Sequence, residues 1–229
     1  MRALRILLVV VVVLAGVFIA VDRAAVYFAE SQAADRVKVS GAEIGSTDIS
    51  IKGFPFLTQV AGSELDEVDV KITGIETSAG GRKLRISRMD ADLHQVRLTD
   101  GFSGATAARA TGTALVSYAD LTEAASEDVA VEYGGNGKVK VTGAVNILGR
   151  TVSRSVLSTV TLVDGHTVRV HADKVPGEGI PGLEGLVREK TDFEREVGGL
   201  PNGLKLQKIE PTAAGLEISV TGTEVDLAG

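Results

Sequence analysis

The chain contains no cysteine, which excludes disulfides, thiolate zinc sites, iron–sulfur clusters and cysteine nucleophiles. It has no tryptophan, and only three tyrosines and six phenylalanines, so aromatic platforms for stacking are scarce. Positive charge is also short: 24 Lys and Arg stand against 30 Asp and Glu, a formal charge of −6. Without Arg2 and Arg5, which precede an apolar N-terminal segment, the balance is −8. Phosphate backbones need a basic face, so nucleic acid is not expected as a partner. Net charge would not hold the domain on anionic lipid either.

Catalytic motifs are equally sparse. His94, His166 and His171 are the only histidines, and His166 and His171, five residues apart, fall on opposite faces of a regular strand. Ser153, Ser155, Asp164 and His166 could be assembled into a triad on paper, but no Gly-x-Ser-x-Gly elbow supports one. Gly134-Gly135-Asn136-Gly137 lacks the Lys-Ser/Thr that would complete a phosphate loop. The expectation is a non-enzyme with no cofactor and no metal.

Hydrophobic residues make up 44% of the 229, enough for a core. Val and Ile recur throughout, and β-branched side chains pack well on a pleated surface. The length fits one domain behind an anchor. Ile6 to Val21 is an unbroken run of sixteen apolar or glycine residues, with Arg2 and Arg5 as its positive flank. A cleaved signal peptide and an uncleaved anchor both fit such a run. A cut after Ala20 would place Phe18, and one after Ala25 would place Arg23, where a small residue is needed. That favours the uncleaved anchor, with the plasma membrane as its location. Arginines before the run and acidic residues behind it predict a cytoplasmic N-terminus and a domain on the outer side. The expected organisation is an anchor over 1–22, a helical stalk or packing helix over 23–36, and one β-rich domain over 37–229. In the second segment Val26, Ala29, Ala33 and Val37 form a stripe.

From Val37 onward alternation dominates. Ile49 and Ile51, Val68, Val70 and Ile72, and Val139, Val141, Val145 and Ile147 each share a face. Leu84 and Ile86 slip in phase to Met89, Ala91 and Leu93, the mark of a bulge or bend. Asp164-Gly165 between two alternating runs predicts a hairpin. Tyr118 to Ser126 suits a short helix and Pro181 to Val197 a longer one, with Leu183, Leu186, Val187 and Phe193 as its apolar stripe. The expected class is therefore α+β: a curved, elongated antiparallel sheet wrapped around one or two helices. Its apolar face would suit an acyl chain and would equally suit an ordinary core.

Gly53-Phe54-Pro55-Phe56-Leu57-Thr58-Gln59-Val60, followed by Val68-Asp69-Val70 and Gly74, resembles the signature of the LmeA-like phospholipid-binding proteins of the actinobacterial envelope. Gly199-Leu200-Pro201-Asn202-Gly203-Leu204-Lys205-Leu206, then Gly215-Leu216-Glu217-Ile218, supplies a second match. The order of segments agrees along essentially the whole chain. This resemblance implies an exported or membrane-associated protein that binds phospholipid, inositol lipids included, and serves maturation of mannose-bearing lipoglycans. It also implies a fold similar to tubular lipid-binding domains of the bactericidal permeability-increasing type. Candidate lipid-contact residues are Phe54, Phe56, Leu57, Leu183, Leu186, Val187, Phe193 and Leu200. Phe54 to Leu57 either dips into a membrane, closes a groove or fills the core, and Leu200-Pro201 is open in the same way. The basic residues Arg82, Lys83, Arg85 and Arg88, or Lys138 and Lys140, could meet a headgroup or line solvated strands. The rival to lipid cargo is a tethered module that binds an envelope glycosyltransferase or polymer.

Overall fold

The computed structural model of the chain describes residues 2–37, 42–79, 82–99, 101, 104–125, 129–147, 150–174, 188, 192–197 and 200–227. A single helix, α1, runs from Arg2 to Arg36, so the apolar run and the Ala-rich segment behind it form one continuous rod. Eleven strands and two short helices follow among the described residues. In chain order these are β1 (Ser46–Lys52), α2 (Phe56–Ala61), β2 (Glu64–Ala79), β3 (Arg82–Thr99), β4 (Gly104–Val116) and α3 (Tyr118–Ala124). Then come β5 (Val129–Gly135), β6 (Lys138–Ile147), β7 (Arg150–Val163), β8 (Thr167–Ala172), β9 (Phe193–Glu196), β10 (Leu204–Thr212) and β11 (Gly215–Asp226).

The class is α+β with long antiparallel strands, and the strands divide into two sheets. The large one has the order β1-β2-β3-β4-β11-β10 and the smaller one β5-β6-β7-β8-β9. Hairpin chemistry explains much of this order. Asp164 and Gly165 both take positive φ (53° and 71°) between β7 and β8, the geometry whose twist suits a two-residue turn. Asn136 and Gly137 do the same between β5 and β6 (51° and 69°). The sheets meet through β10, whose buried Leu206 and Ile209 share a core with Val139, Val141, Val156, Val160 and Val170 of the smaller sheet. Tyr118 of α3 adds a strap, donating its hydroxyl hydrogen to the Thr212 carbonyl at 2.8 Å. Ser117 caps α3, accepting the Asp120 N–H.

The phase slip in β3 is a bend without a register shift. Thr73 pairs with Arg88 and Ile75 with Ile86, which leaves Gly74, at φ 64°, opposite Ser87 at the point of slip. Gln95, at φ 51°, turns the strand again, so Leu93 and then Val96 are the buried residues. Of the helix expected over Pro181–Val197, only Arg188 and residues 192–197 are among the described residues, and the predicted C-terminal part is not helical. Arg188 is helical, but Phe193–Glu196 is the strand β9, paired with β8 from Val170 to Thr167. An unpaired β8 edge offers backbone donors and acceptors that a fourth helical turn could not use. Asp192 marks the change, its carboxylate accepting the Ala172 N–H at 2.9 Å.

Candidate functional site: the Phe54 corner and the apolar face of the large sheet

Past Val21 the rod α1 stops being bare and becomes part of the domain. Val26 is buried, with Ala25 and Ala29 beside it, against Ile51, Phe56, Leu65 and Val68. Asp22 is fully enclosed. Its carboxylate accepts the Leu57 N–H at 2.9 Å and pairs with Arg23 at 2.8 Å. The N-cap residue of α2 is Pro55, which has no side chain able to cap. Asp22 fills that role from 35 residues upstream, satisfying a donor that the first helical turn leaves open. About two turns further on, Glu30 accepts the Ile51 N–H at 2.7 Å, covering a donor on the edge strand β1.

The two segments that carry the family resemblance meet at this end of the molecule. Gly53 sits at φ 91°, and a Cβ there would lie 2.6 Å from Gln59 Nε2 and 2.7 Å from Asp66 Oδ2. Glycine is thus favoured by the left-handed backbone, and a side chain there would also displace the ends of Gln59 and Asp66. Gln59 then ties the turn together, donating to the Lys52 carbonyl and accepting the Asp66 N–H. In the second segment Gly203, at φ 89°, lets the chain cross β11 so closely that a Cβ would lie 2.6 Å from the Thr223 carbonyl oxygen. Leu204 beyond it packs on the cluster that holds Phe56 and Val225. Both motifs build one corner.

The structure separates the candidate contact residues. Phe56 is buried at 6% exposure, and Leu57 packs partly buried against the same cluster. Phe54 is 56% exposed, with the Arg23 guanidinium 5.3 Å from its ring centre. The Phe54–Pro55 peptide is cis. Leu200 is half-buried against the core shared with the smaller sheet. The backbone of Phe193 lies in β9. Leu183, Leu186 and Val187 lie outside the described residues.

Register reveals a feature that the linear pattern hid. Directly opposed residues share a face, and three successive rungs of the large sheet are apolar from edge to edge, apart from one threonine. Ile51, Val68, Leu93, Ala110, Gly222 and Leu204 form the first, beneath α1 and α2. The second is Ile49, Val70, Ala91, Gly112, Val220 and Leu206; the third is Thr47, Ile72, Met89, Ala114, Ile218 and Ile209. One end of this face is covered by α1 and α2 and the other by the smaller sheet. Between them Val70, Met89, Ala91, Ala114 and Ile218 are half-buried. Small residues line the middle: at Gly112 a Cβ would lie 3.2 Å from Val220 Cγ2 and 3.6 Å from Ala91 Cβ. Sequence reading missed this strip because it missed β4, whose Ala, Thr and Gly carry little strand signal.

The opposite face is polar and internally paired. Lys52 meets Asp69 at 3.0 Å and Lys71 meets Asp90 at 3.9 Å. The hydrogen bond from Lys52 to Asp69, reinforced by that charge, raises the lysine above its ordinary pKa. Four of the six basic candidates for a headgroup are engaged as well. Arg82 donates to the Ala125 carbonyl, Arg88 pairs with Asp90, and Lys140 pairs with Glu132. Lys138 pairs with Asp173. Lys138 and Thr159 hydrogen bonds hold the Asp173 carboxyl below its usual range. His94 faces Glu67 and His171 faces Asp192. Among the described residues no three His, Asp or Glu side chains gather as metal ligands would.

A long sheet with an apolar inner face and charges confined to the outer one has the chemistry of a domain for hydrophobic ligands. Residues 20–221 match the family model described as LmeA-like phospholipid-binding, and the chain belongs to that family. The match begins at the end of the apolar run and takes in Asp22, both glycine motifs and every residue of the three apolar rungs except Gly222. No curated protein and no solved structure gives a significant match. Among the described residues one helix, α1, is long and apolar enough to cross a membrane.

Proposed function

We propose that the chain binds a phospholipid with its acyl chains laid along the strip of Val70, Met89, Ala91, Ala114 and Ile218, tethered to the plasma membrane by α1. The observation that carries this reading is the strip itself: apolar from strand to strand, half-buried and lined by small residues at its middle. An acyl chain placed there removes apolar surface from water on both partners, worth ~25 cal/mol per Å². No group on the strip is equipped for bond cleavage, so the role is carriage or presentation of lipid to enzymes that mature envelope lipids or lipoglycans. The arginines ahead of the run support an outward-facing domain. Headgroup choice, inositol lipids included, is set by contacts outside the strip.

The test is photo-crosslinking of the full chain in vesicles, using a phosphatidylinositol that carries a diazirine on its acyl chain. Adducts on β2, β3, β4 and β11 are expected. Adducts confined to α1 would show lipid around the anchor only and would refute the reading. Recovery of a stoichiometric protein partner with no adduct on the sheet would favour the glycosyltransferase-binding alternative.

A further inference from the structure

The apolar run Ile6 to Val21 spans ~24 Å at a rise of ~1.5 Å per residue, against a hydrocarbon core of ~30 Å. The shortfall of ~6 Å, shared between both ends, places the outer hydrocarbon boundary about two residues beyond Val21, at Arg23. Because α1 is unbroken and Val26 is packed into the domain, the height of the domain above the membrane follows from that placement. Three features of the structure fall at this boundary. Asp22, a carboxylate that hydrocarbon would not tolerate, is wholly enclosed by the domain. Arg23 remains half-exposed, with Phe54 against its guanidinium. Tyr27, one turn beyond Arg23, is 76% exposed. Aromatic rings and arginine side chains are the groups that settle between acyl chains and phosphates.

We propose that Phe54 and Arg23 form a membrane-surface contact, the ring lying among the glycerol groups and the guanidinium on the phosphates of the bilayer that α1 crosses. Phe54 is thereby the outward half of a two-phenylalanine clamp whose inward half, Phe56, is core. The contact fixes the orientation of the domain and holds the α2 end of the apolar strip against the lipid surface. Local chemistry and not net charge drives it, since the domain is acidic. It rests on α1 spanning the bilayer and not on lipid cargo.

The absence of native tryptophan makes single-tryptophan probes direct. Full-length Phe54→Trp, Tyr27→Trp, Phe18→Trp and Tyr133→Trp chains would be reconstituted in phosphatidylcholine–phosphatidylglycerol vesicles with acyl bromines at graded depths. Phe18→Trp, inside the run, reports the anchor, and Tyr133→Trp, on β5, reports the distant surface. The expected result is a blue-shifted Phe54→Trp emission quenched most by bromines nearest the glycerol, with Tyr133→Trp unquenched. Tyr27→Trp supplies a second reading of the same height should Phe54→Trp not fold. Quenching of Phe18→Trp with water-like, unquenched emission at both positions 54 and 27 would overturn the contact while leaving the anchor intact. Quenching at Tyr133→Trp equal to that at Phe54→Trp would overturn it too, since the domain would then lie on the membrane without a defined corner.

Discussion

The two phenylalanines of the Gly53–Leu57 segment are two residues apart and have opposite tasks, which a pair of alanine variants separates. Phe56 is 6% exposed, in a cluster with Val26, Ile51, Leu65 and Val225. A phenylalanine side chain buries ~200 Å², and at ~25 cal/mol per Å² that is ~5 kcal/mol, an upper value because unfolded chains are already partly collapsed. Phe56→Ala is therefore expected to cost about 3–5 kcal/mol. Phe54 is 56% exposed, with the Arg23 guanidinium over its ring, so Phe54→Ala should fall within about 0.5 kcal/mol of the parent. The assay is urea unfolding of the full chain in mild detergent, followed by circular dichroism at a β-sheet wavelength. With a denaturant slope of about 2–3 kcal/mol per M, the midpoint should fall by about 1–2.5 M for Phe56→Ala and barely move for Phe54→Ala. Equal midpoints for the two variants, or a larger fall for Phe54→Ala, would refute the division between core and surface on which the corner depends.

Three further outcomes follow from the same geometry. Asp22→Ala should speed hydrogen exchange at the Leu57 amide and lower the unfolding midpoint, because α2 loses the carboxylate that caps it; unchanged exchange there would remove Asp22 from that role. Gly203→Ala should destabilise by about 1–3 kcal/mol, since it combines left-handed backbone with a collision against the Thr223 carbonyl, and a neutral effect in thermal unfolding would contradict the described crossing. Asp173 has a folded pKa below its unfolded value, so its contribution to stability is present above the unfolded value and lost as pH falls through the folded one. Lys52 has a folded pKa above its unfolded value, so its contribution holds below the unfolded value and is lost as pH rises through the folded one. Unfolding midpoints should thus stay level across neutral pH and fall at both extremes, with Lys138→Met blunting the acid arm and Lys52→Met the alkaline one; arms unchanged in those variants would refute the assignments.

Much of the architecture was legible because local signals and tertiary demands agreed. Val139 and Val141, Asp164-Gly165, and Val68 to Ile72 behave as their spacing predicts, since one-faced alternation leaves a strand a single way to bury its apolar side. Strand β4 was silent because its position, central between β3 and β11, asks for small residues rather than bulky alternating ones. The helical reading of 193–196 failed because its apolar spacing fits either period over so short a span, and the free β8 edge decided the matter. The site was less legible than the fold. Phe54 and Phe56 look alike in sequence, and only the docking of α1 through Asp22 and Val26 sends one inward and leaves the other out. The apolar strip depends on register among β2, β3, β4 and β11, which brings Ala91 and Gly112 together with Val220, more than a hundred residues further along the chain. No pattern along the chain encodes that neighbourhood.

The central claim, that the apolar strip holds phospholipid acyl chains, is tested most directly by native mass spectrometry of the full chain released from detergent and titrated with phosphatidylinositol. The parent chain should carry one exchangeable mass of phospholipid size. Ala91→Trp and Ala114→Trp, which fill the strip from its floor, should fold with the parent's circular dichroism and lose that mass. Retention of the lipid in both folded variants, or a parent chain that never acquires one, would contradict the account.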